Sequence, residues 1–234
     1  MKKLILFFLF ISNLLYSEDC GWEWQSPLPQ GNFLTSVSYA TKDIAYTCGD
    51  NGTVLKTTDG GENWILLKTG VYFDLSHILA INSKICLAVG LDSTIIKTTD
   101  GGSSWFNINS GLDAELNKIF FINYTTGWII SANGDIIKTR DAGSSWFLQN
   151  SNISKELNNL YFLNENIGFA VGNEGTLIKT TDGGENWIKQ DSITNKNSHS
   201  VFFYNENIGW LGGDRCFMLK TTDGGESWFV QTTI

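Results

Sequence analysis

Apolar residues along this chain come in short strand-length runs, interrupted every few positions by glycine, asparagine, aspartate or serine. The stretch from 157 onward shows the pattern well. LNNLYFLN (157–164) has an apolar centre, and the polar turn Glu165–Gly168 separates it from the short apolar run Phe169–Gly172. Asn173-Glu174-Gly175 then reads as a hairpin turn, followed by a third run, Thr176–Thr180. After a glycine-rich turn a fourth run opens at Trp187 and leaves through the polar loop Asp191–Ser198. Runs of this length between turn residues, without a sustained helical period, predict strands. The other copies follow the same course, with first strands near Leu34, Ser76, Leu116 and His199. Asp50-Asn51-Gly52 gives the clearest hairpin signal.

Asp59, Asp100, Asp141, Asp182 and Asp223 recur at a constant spacing of 41 residues. Each is followed five positions later by a tryptophan: Trp64, Trp105, Trp146, Trp187 and Trp228. The windows read TTDGGENW, TTDGGSSW, TRDAGSSW, TTDGGENW and TTDGGESW, each preceded by a lysine. Five matches in register exclude chance. A period of about 40 residues with four short strands per unit is the mark of a stacked supersecondary unit, most often a propeller blade. The expected fold is therefore all-β, a β-propeller of five four-stranded blades at about 34–74, 75–115, 116–156, 157–197 and 198–234. Trp24 lies one residue off the register behind Trp64, and WEWQS reads as a lone fourth strand stopped by Pro27 and Pro29. Residues 18–33 are thus expected to supply an extra N-terminal strand at the seam, against Trp228–Ile234. Two closures stay open: a five-bladed ring with a spare edge strand, or an arc that lacks one set of first-to-third strands.

Each aspartate window makes mechanical sense as a turn. The carboxylate can accept backbone N–H groups one to three residues on, and the glycines supply positive φ at little steric cost. The hydroxyls of Thr57 and Thr58 can satisfy the same turn, and the tryptophan is expected to be buried in an equivalent place in every unit. The motif resembles the Asp-box, or bacterial neuraminidase repeat. The longer phrases GDNGTVLKTTDGGENW (49–64) and GNEGTLIKTTDGGENW (172–187) resemble the repeat of the photosystem II assembly/stability factor family, from about residue 32 onward. That resemblance implies Asp-boxes between the third and fourth strands, on the face away from the functional one, so the ten Asp-box residues are expected to be structural. It also implies a partner polypeptide held during membrane-complex assembly. Its seven blades and its arginine-rich binding patch are not matched here, since the chain has only Arg140 and Arg215.

Lys2, Lys3 and the apolar run Leu4–Ile11, ending at Leu15-Tyr16-Ser17, read as a secretory signal over residues 1–17. The run is too short to span a bilayer, so no membrane insertion is expected. Ser17-Glu18-Asp19 before Cys20 is a poor lipidation signal, which favours cleavage after Ser17. The chain is expected to be exported: periplasmic, cell-surface or secreted. Its net charge is −8 even with the two leader lysines counted, which disfavours nucleic acid as a partner. Repeat alignment sets Cys48 and Cys86 on second strands of adjacent blades with opposite facing, so free thiols are expected.

Chemistry is sparse. A sialidase needs three arginines to clamp its substrate carboxylate, and Arg140 already sits inside an Asp-box. A two-carboxylate glycoside hydrolase could draw on the turns between second and third strands, which offer Asp50, Asp92, Asp135, Glu174 and Asp214 with Arg215 beside them. Constant spacing leaves no insertion to build a cleft. Asp74, Asp113, Glu115, Glu156 and Asp191 sit in blade-to-blade loops, where solvated carboxylates are ordinary. Only Tyr72 and Phe73 offer loop aromatics of the kind a sugar-binding module repeats. His77 and His199 occupy matching strand entries without further metal-ligating partners. No catalytic residue, metal site or cofactor is expected. The expected function is a non-catalytic scaffold for a protein partner. The alternative is a glycan-binding or glycoside hydrolase-like propeller that uses carboxylates on the face opposite the Asp-boxes.

Overall fold

A computed structural model describes residues 31–190 and 194–231. The seam strand and the leader expected within residues 1–30 lie outside the described residues, as does Asp191. The described chain forms five antiparallel sheets of four strands, each in simple sequence order from its innermost to its outermost strand. The first sheet is β1 (Leu34–Tyr39), β2 (Ala45–Gly49), β3 (Val54–Thr57) and β4 (Ile65–Leu67). The others repeat it: β5 (Leu75–Ala80) to β8 (Phe106–Asn107), β9 (Leu116–Phe121) to β12 (Phe147–Gln149), β13 (Leu157–Phe162) to β16 (Ile188–Lys189), and β17 (Ser198–Phe203) to β20 (Phe229–Val230). The five-bladed propeller fold is the one the repeat predicted.

Second strands are buried on both faces in the first four sheets, which is why they read as continuous apolar runs rather than alternating ones. The core is not one globule but a series of layers between sheets. Between the first and second sheets, Tyr46, Cys48 and Val54 meet Leu75, Ile78, Cys86, Ala88 and Ile96. The third and fourth sheets repeat this with Trp128, Ile130 and Ile136 against Leu157, Leu160, Ala170 and Ile178, and Trp187 covers the layer. An Asp-box tryptophan therefore packs on the sheet that precedes its own.

This geometry corrects two expectations. The tryptophans are not equally buried: Trp146, Trp187 and Trp228 are, whereas Trp64 and Trp105 are only partly covered. Trp64 has no earlier described sheet to lean on. Cys48 and Cys86 do have opposite facing, but on adjacent sheets this turns them toward each other, into one layer. Both are buried and free, and burial pushes the Cys48 thiol up to about 12.

Among the described residues the sheet-to-sheet contacts run in one series. Contacts between innermost strands run β1 to β5, β9, β13 and β17. Among the described residues no hydrophobic cluster or hydrogen bond joins the fifth sheet to the first. Val37 is 59% exposed, while its counterparts Ile78, Ile119, Leu160 and Val201 are buried. Each described sheet thus packs on the next, in series from the first to the fifth.

Candidate functional site

The Asp-boxes lie at one end of the sheets, and all five build the same network. In the first, Thr57 Oγ1 donates to Asp59 Oδ1 at 2.7 Å and accepts the Gly61 N–H at 3.0 Å. The Asn63 backbone N–H reaches Oδ1 at 2.9 Å, and its side-chain amide reaches Oδ2 at 2.8 Å. The recurring backbone donor is thus four residues on, further than the one to three expected. Thr57, rather than the exposed Thr58, supplies the hydroxyl. In the second, third and fifth copies Ser104, Ser145 and Ser227 replace the asparagine.

These donors hold the carboxylates ionised. Bonds from Asn63 and Thr57 lower Asp59 to about 2, and bonds from Ser104 and Ser227 lower Asp100 and Asp223 to about 2. At Asp141 burial pushes upward, but bonds from Ser145 and Thr139 outweigh it and the value is again about 2. Asp182 is lowered too, through Asn186. A carboxyl depressed on folding contributes stability above its unfolded value near ~4, and that contribution is lost as pH falls through the folded value. Acid unfolding followed by circular dichroism should therefore show a steep loss of stability between about pH 4 and pH 2. The charge-to-amide variant Asp100→Asn should flatten part of that dependence.

Both oxygens of each box are already engaged by protein donors, so calcium has little to gain there. Melting with excess calcium and then with chelator should give one midpoint. A rise of several degrees would show that the aspartates coordinate metal.

The opposite end carries the candidate carboxylates, and the structure spreads them out. Each turn between second and third strands is tied down by a backbone bond to the residue preceding its sheet's first strand. Asp50, Leu91, Ala132, Asn173 and Asp214 donate N–H to the carbonyls of Phe33, Asp74, Glu115, Glu156 and Asn197. Asn51, Asp92, Glu174 and Arg215 take positive φ in these turns. Glu174 pairs with Lys155 at 2.8 Å, and Asp214 with His199 at 2.6 Å. Asp135 faces Ser131, and the loop residue Asp74 accepts the Asn51 N–H at 2.8 Å. Asp92 and Asp135 line separate shallow depressions of about 310 and 510 Å³. A third depression, about 430 Å³, lies beside Asn32 and the exposed Tyr72. Asp135, Glu174 and Asp214 thus serve local contacts on different sheets.

His77 and His199 stand on β5 and β17, with β9 and β13 between them, so they share no site. Burial, with Lys118 adding, lowers His77 to about 4. Among the described residues no group of three or more His, Cys, Asp or Glu could hold a metal ion.

One set of structural side chains escaped the sequence reading: the lysines ahead of the Asp-boxes. Lys56, Lys138 and Lys179 reach across the layer to the carbonyls of Gly101, Gly183 and Gly224 in the next sheet's Asp-box, at 2.7, 2.7 and 3.1 Å. Lys97 reaches Ser144 Oγ at 2.8 Å. Their 41-residue spacing was the visible signal; their reach is a tertiary property.

A family model for the photosystem II assembly factor YCF48 matches residues 144–232. The chain is an Asp-box β-propeller resembling that factor. YCF48 from Cyanidioschyzon merolae superposes with a TM-score of 0.59 at 16% identity, covering 89% of this chain and 87% of that one. A YCF48 structure with bound D1 peptide aligns at a TM-score of 0.49 and 20% identity, over 88% of this chain and 84% of that one. An ancestral GH74 enzyme gives a TM-score of 0.75 at 17% identity, over 90% of this chain but only 32% of its own. No curated protein matches the sequence. Among the described residues no helix is long and apolar enough to cross a membrane.

Proposed function

We propose that this chain is an exported, non-catalytic β-propeller that holds a polypeptide partner, an assembly scaffold of the YCF48 kind acting in the periplasm, at the cell surface or in the medium. The observation that carries the reading is the dispersal of its carboxylates. Glycoside hydrolysis needs two carboxyls facing one scissile bond, whereas Glu174 and Asp214 are each committed to a basic neighbour of their own. The family match over residues 144–232 supports an assembly role.

The partner surface is not the arginine-rich one that the family resemblance implies. Arg140 sits in an Asp-box and pairs with Glu185 at 2.6 Å, while Arg215 is at the opposite end of another sheet. The acidic turns around Asp50, Asp92, Asp135, Glu174 and Asp214 instead suit a basic or polar segment. The alternative, a glycan ligand, draws on the exposed Tyr72 beside its depression.

Immobilised residues 18–234 should capture a protein from an extracytoplasmic extract. Changing the five acidic turn residues to their amides should reduce that capture. Binding on a glycan array, lost with Tyr72→Ala, would favour the alternative instead.

A further inference from the structure

The inner strand of every sheet carries a polar side chain at one shared repeat position: Ser36, His77, Lys118, Asn159 and Ser200. Ile78 packs in the layer with the first sheet and Leu79 in the layer with the third, so alternation turns His77 toward the third sheet as well. Further along, members of this ladder donate forward to the next sheet. The Lys118 ammonium donates to Asn159 Oδ1 at 2.9 Å, and Asn159 Nδ2 donates to the His199 carbonyl at 3.2 Å. The rung from His77 is missing. Its Nδ1 is buried and has no hydrogen-bond partner among the described residues. Lys118, the side chain ahead of it, offers donors only. A neutral imidazole nitrogen could accept from that ammonium, but Nδ1 is too far from it to do so.

Charge points the same way. Lys97, Lys138 and Lys179, the covered lysines of the Asp-box layers, each have an acid at hand: Asp141, Glu185 and Glu226. Lys118 is half-buried, and among the described residues no carboxylate pairs with it. Desolvation pulls its ammonium below the ordinary lysine value, and its charge in turn helps to hold His77 near 4. A partly buried cation without a counter-charge is costly, and this chain has 24 acidic residues against 16 basic ones from which to supply one. A depression of about 460 Å³ reaches Leu79, the next residue on the face of His77, and opens this rim to solvent. Two donor groups, one of them charged, thus stand on adjacent inner strands without an acceptor between them.

We propose that the inner rim between the second and third sheets binds a small oxyanion, either free phosphate or sulfate or the carboxylate of a larger molecule, with Lys118 and His77 as its donors. One anionic oxygen accepts from the Lys118 ammonium and another from the Nδ1–H of His77, in the tautomer that carries its proton there. The anion completes the ladder from His77 to Asn159 and supplies the counter-charge that Lys118 lacks. The site is independent of the scaffold reading, which rests on the acidic turns at the ends of the sheets. Loss of protein capture would leave it standing.

Side-chain NMR on the full chain tests this, because its two histidines give two imidazole signals, which His77→Gln assigns. Phosphate, sulfate and acetate are titrated in turn at constant ionic strength, with chloride as the balancing salt. The His77 signal should move and saturate, while that of His199, already held by Asp214, stays in place. Lys118→Met keeps the stem and removes the charge, and should weaken binding by more than about tenfold. Lys118→Arg, which keeps the charge, should retain the saturating shift. The same position carries serine or asparagine in three other sheets, so circular dichroism should show both variants folded. Saturation by phosphate or sulfate but not acetate would identify a free inorganic anion, and saturation by acetate a carboxylate group. A His77 signal that none of the three oxyanions moves would overturn the proposal. So would a shift that Lys118→Met leaves intact, or one that never saturates, because that is the response to an ionic atmosphere rather than to a site.

Discussion

Replacing Trp187 by alanine is expected to cost about 3–5 kcal/mol, the range for a buried aromatic. In a chain of this size that lowers the melting midpoint by roughly 10 °C or more. Trp187 is buried in the layer between the third and fourth sheets, its ring edge-on to Phe162 at 5.7 Å between centroids, with Trp128 and Ile130 in the same cluster. Its indole N–H finds no protein acceptor, so Trp187→Phe should keep most of the stability. Trp64→Ala, at the same repeat position but only partly covered, should cost less than Trp187→Ala. Thermal melting of the three variants checks the ranking. Equal losses at Trp64 and Trp187 would mean that the first tryptophan also rests on a sheet-like surface.

The second large effect is expected at Gly172, where the second strand of the fourth sheet ends. Its φ of −163° is ordinary extended backbone, so conformational strain is not the reason for glycine. The reason is close approach: a Cβ there would lie 1.9 Å from the Glu156 carbonyl oxygen. That carbonyl accepts the Asn173 N–H, the bond that ties the turn to the preceding loop. Gly172→Ala must push the loop away and loosen that bond, for about 1–3 kcal/mol as in other overpacked sites. Gly49, Gly90 and Gly213 make the same approach to Phe33, Asp74 and Asn197. The third sheet carries Ser131 instead, and there the turn is built differently, with the Ser131 hydroxyl accepting the Asn133 and Asp135 N–H groups. Chemical denaturation of Gly172→Ala measures the loss; a neutral result would mean the loop yields freely.

Much of this fold was legible because the repeat sets its own register. Leu157, Phe169 and Leu177 could be assigned to successive strands from turn residues and spacing alone, since turns and pleats are local. Layers were harder to read, because they depend on which sheet lies next door. Trp64 and Trp187 look identical in sequence, yet one is partly covered and the other buried, a difference set by what each packs on. Strand alternation set Cys48 and Cys86 on opposite faces, but did not say that adjacent sheets turn those faces together. Lys56 stood in every window as an unexplained lysine, because its acceptor, Gly101, is a whole repeat away. The functional end was the least legible part. Asp50 and Asp214 share one repeat position, Asp92 and Glu174 the next, and Asp135 a third, so no acidic group recurs at one position in every turn.

The central claim is that each sheet is held by the next, through the apolar layers and the lysines that cross them. Native-state hydrogen exchange at the lowest workable protein concentration tests it most directly, since protection follows the burial and packing of each segment. The second strands of the interior sheets, β6 (Cys86–Gly90), β10 (Gly127–Ser131) and β14 (Gly168–Gly172), should exchange slowest. The inner strand β1 and the fifth-sheet strands β18 (Gly209–Gly213) and β19 (Met218–Thr221) should exchange markedly faster. Equal protection across all five sheets would contradict this layer-by-layer support.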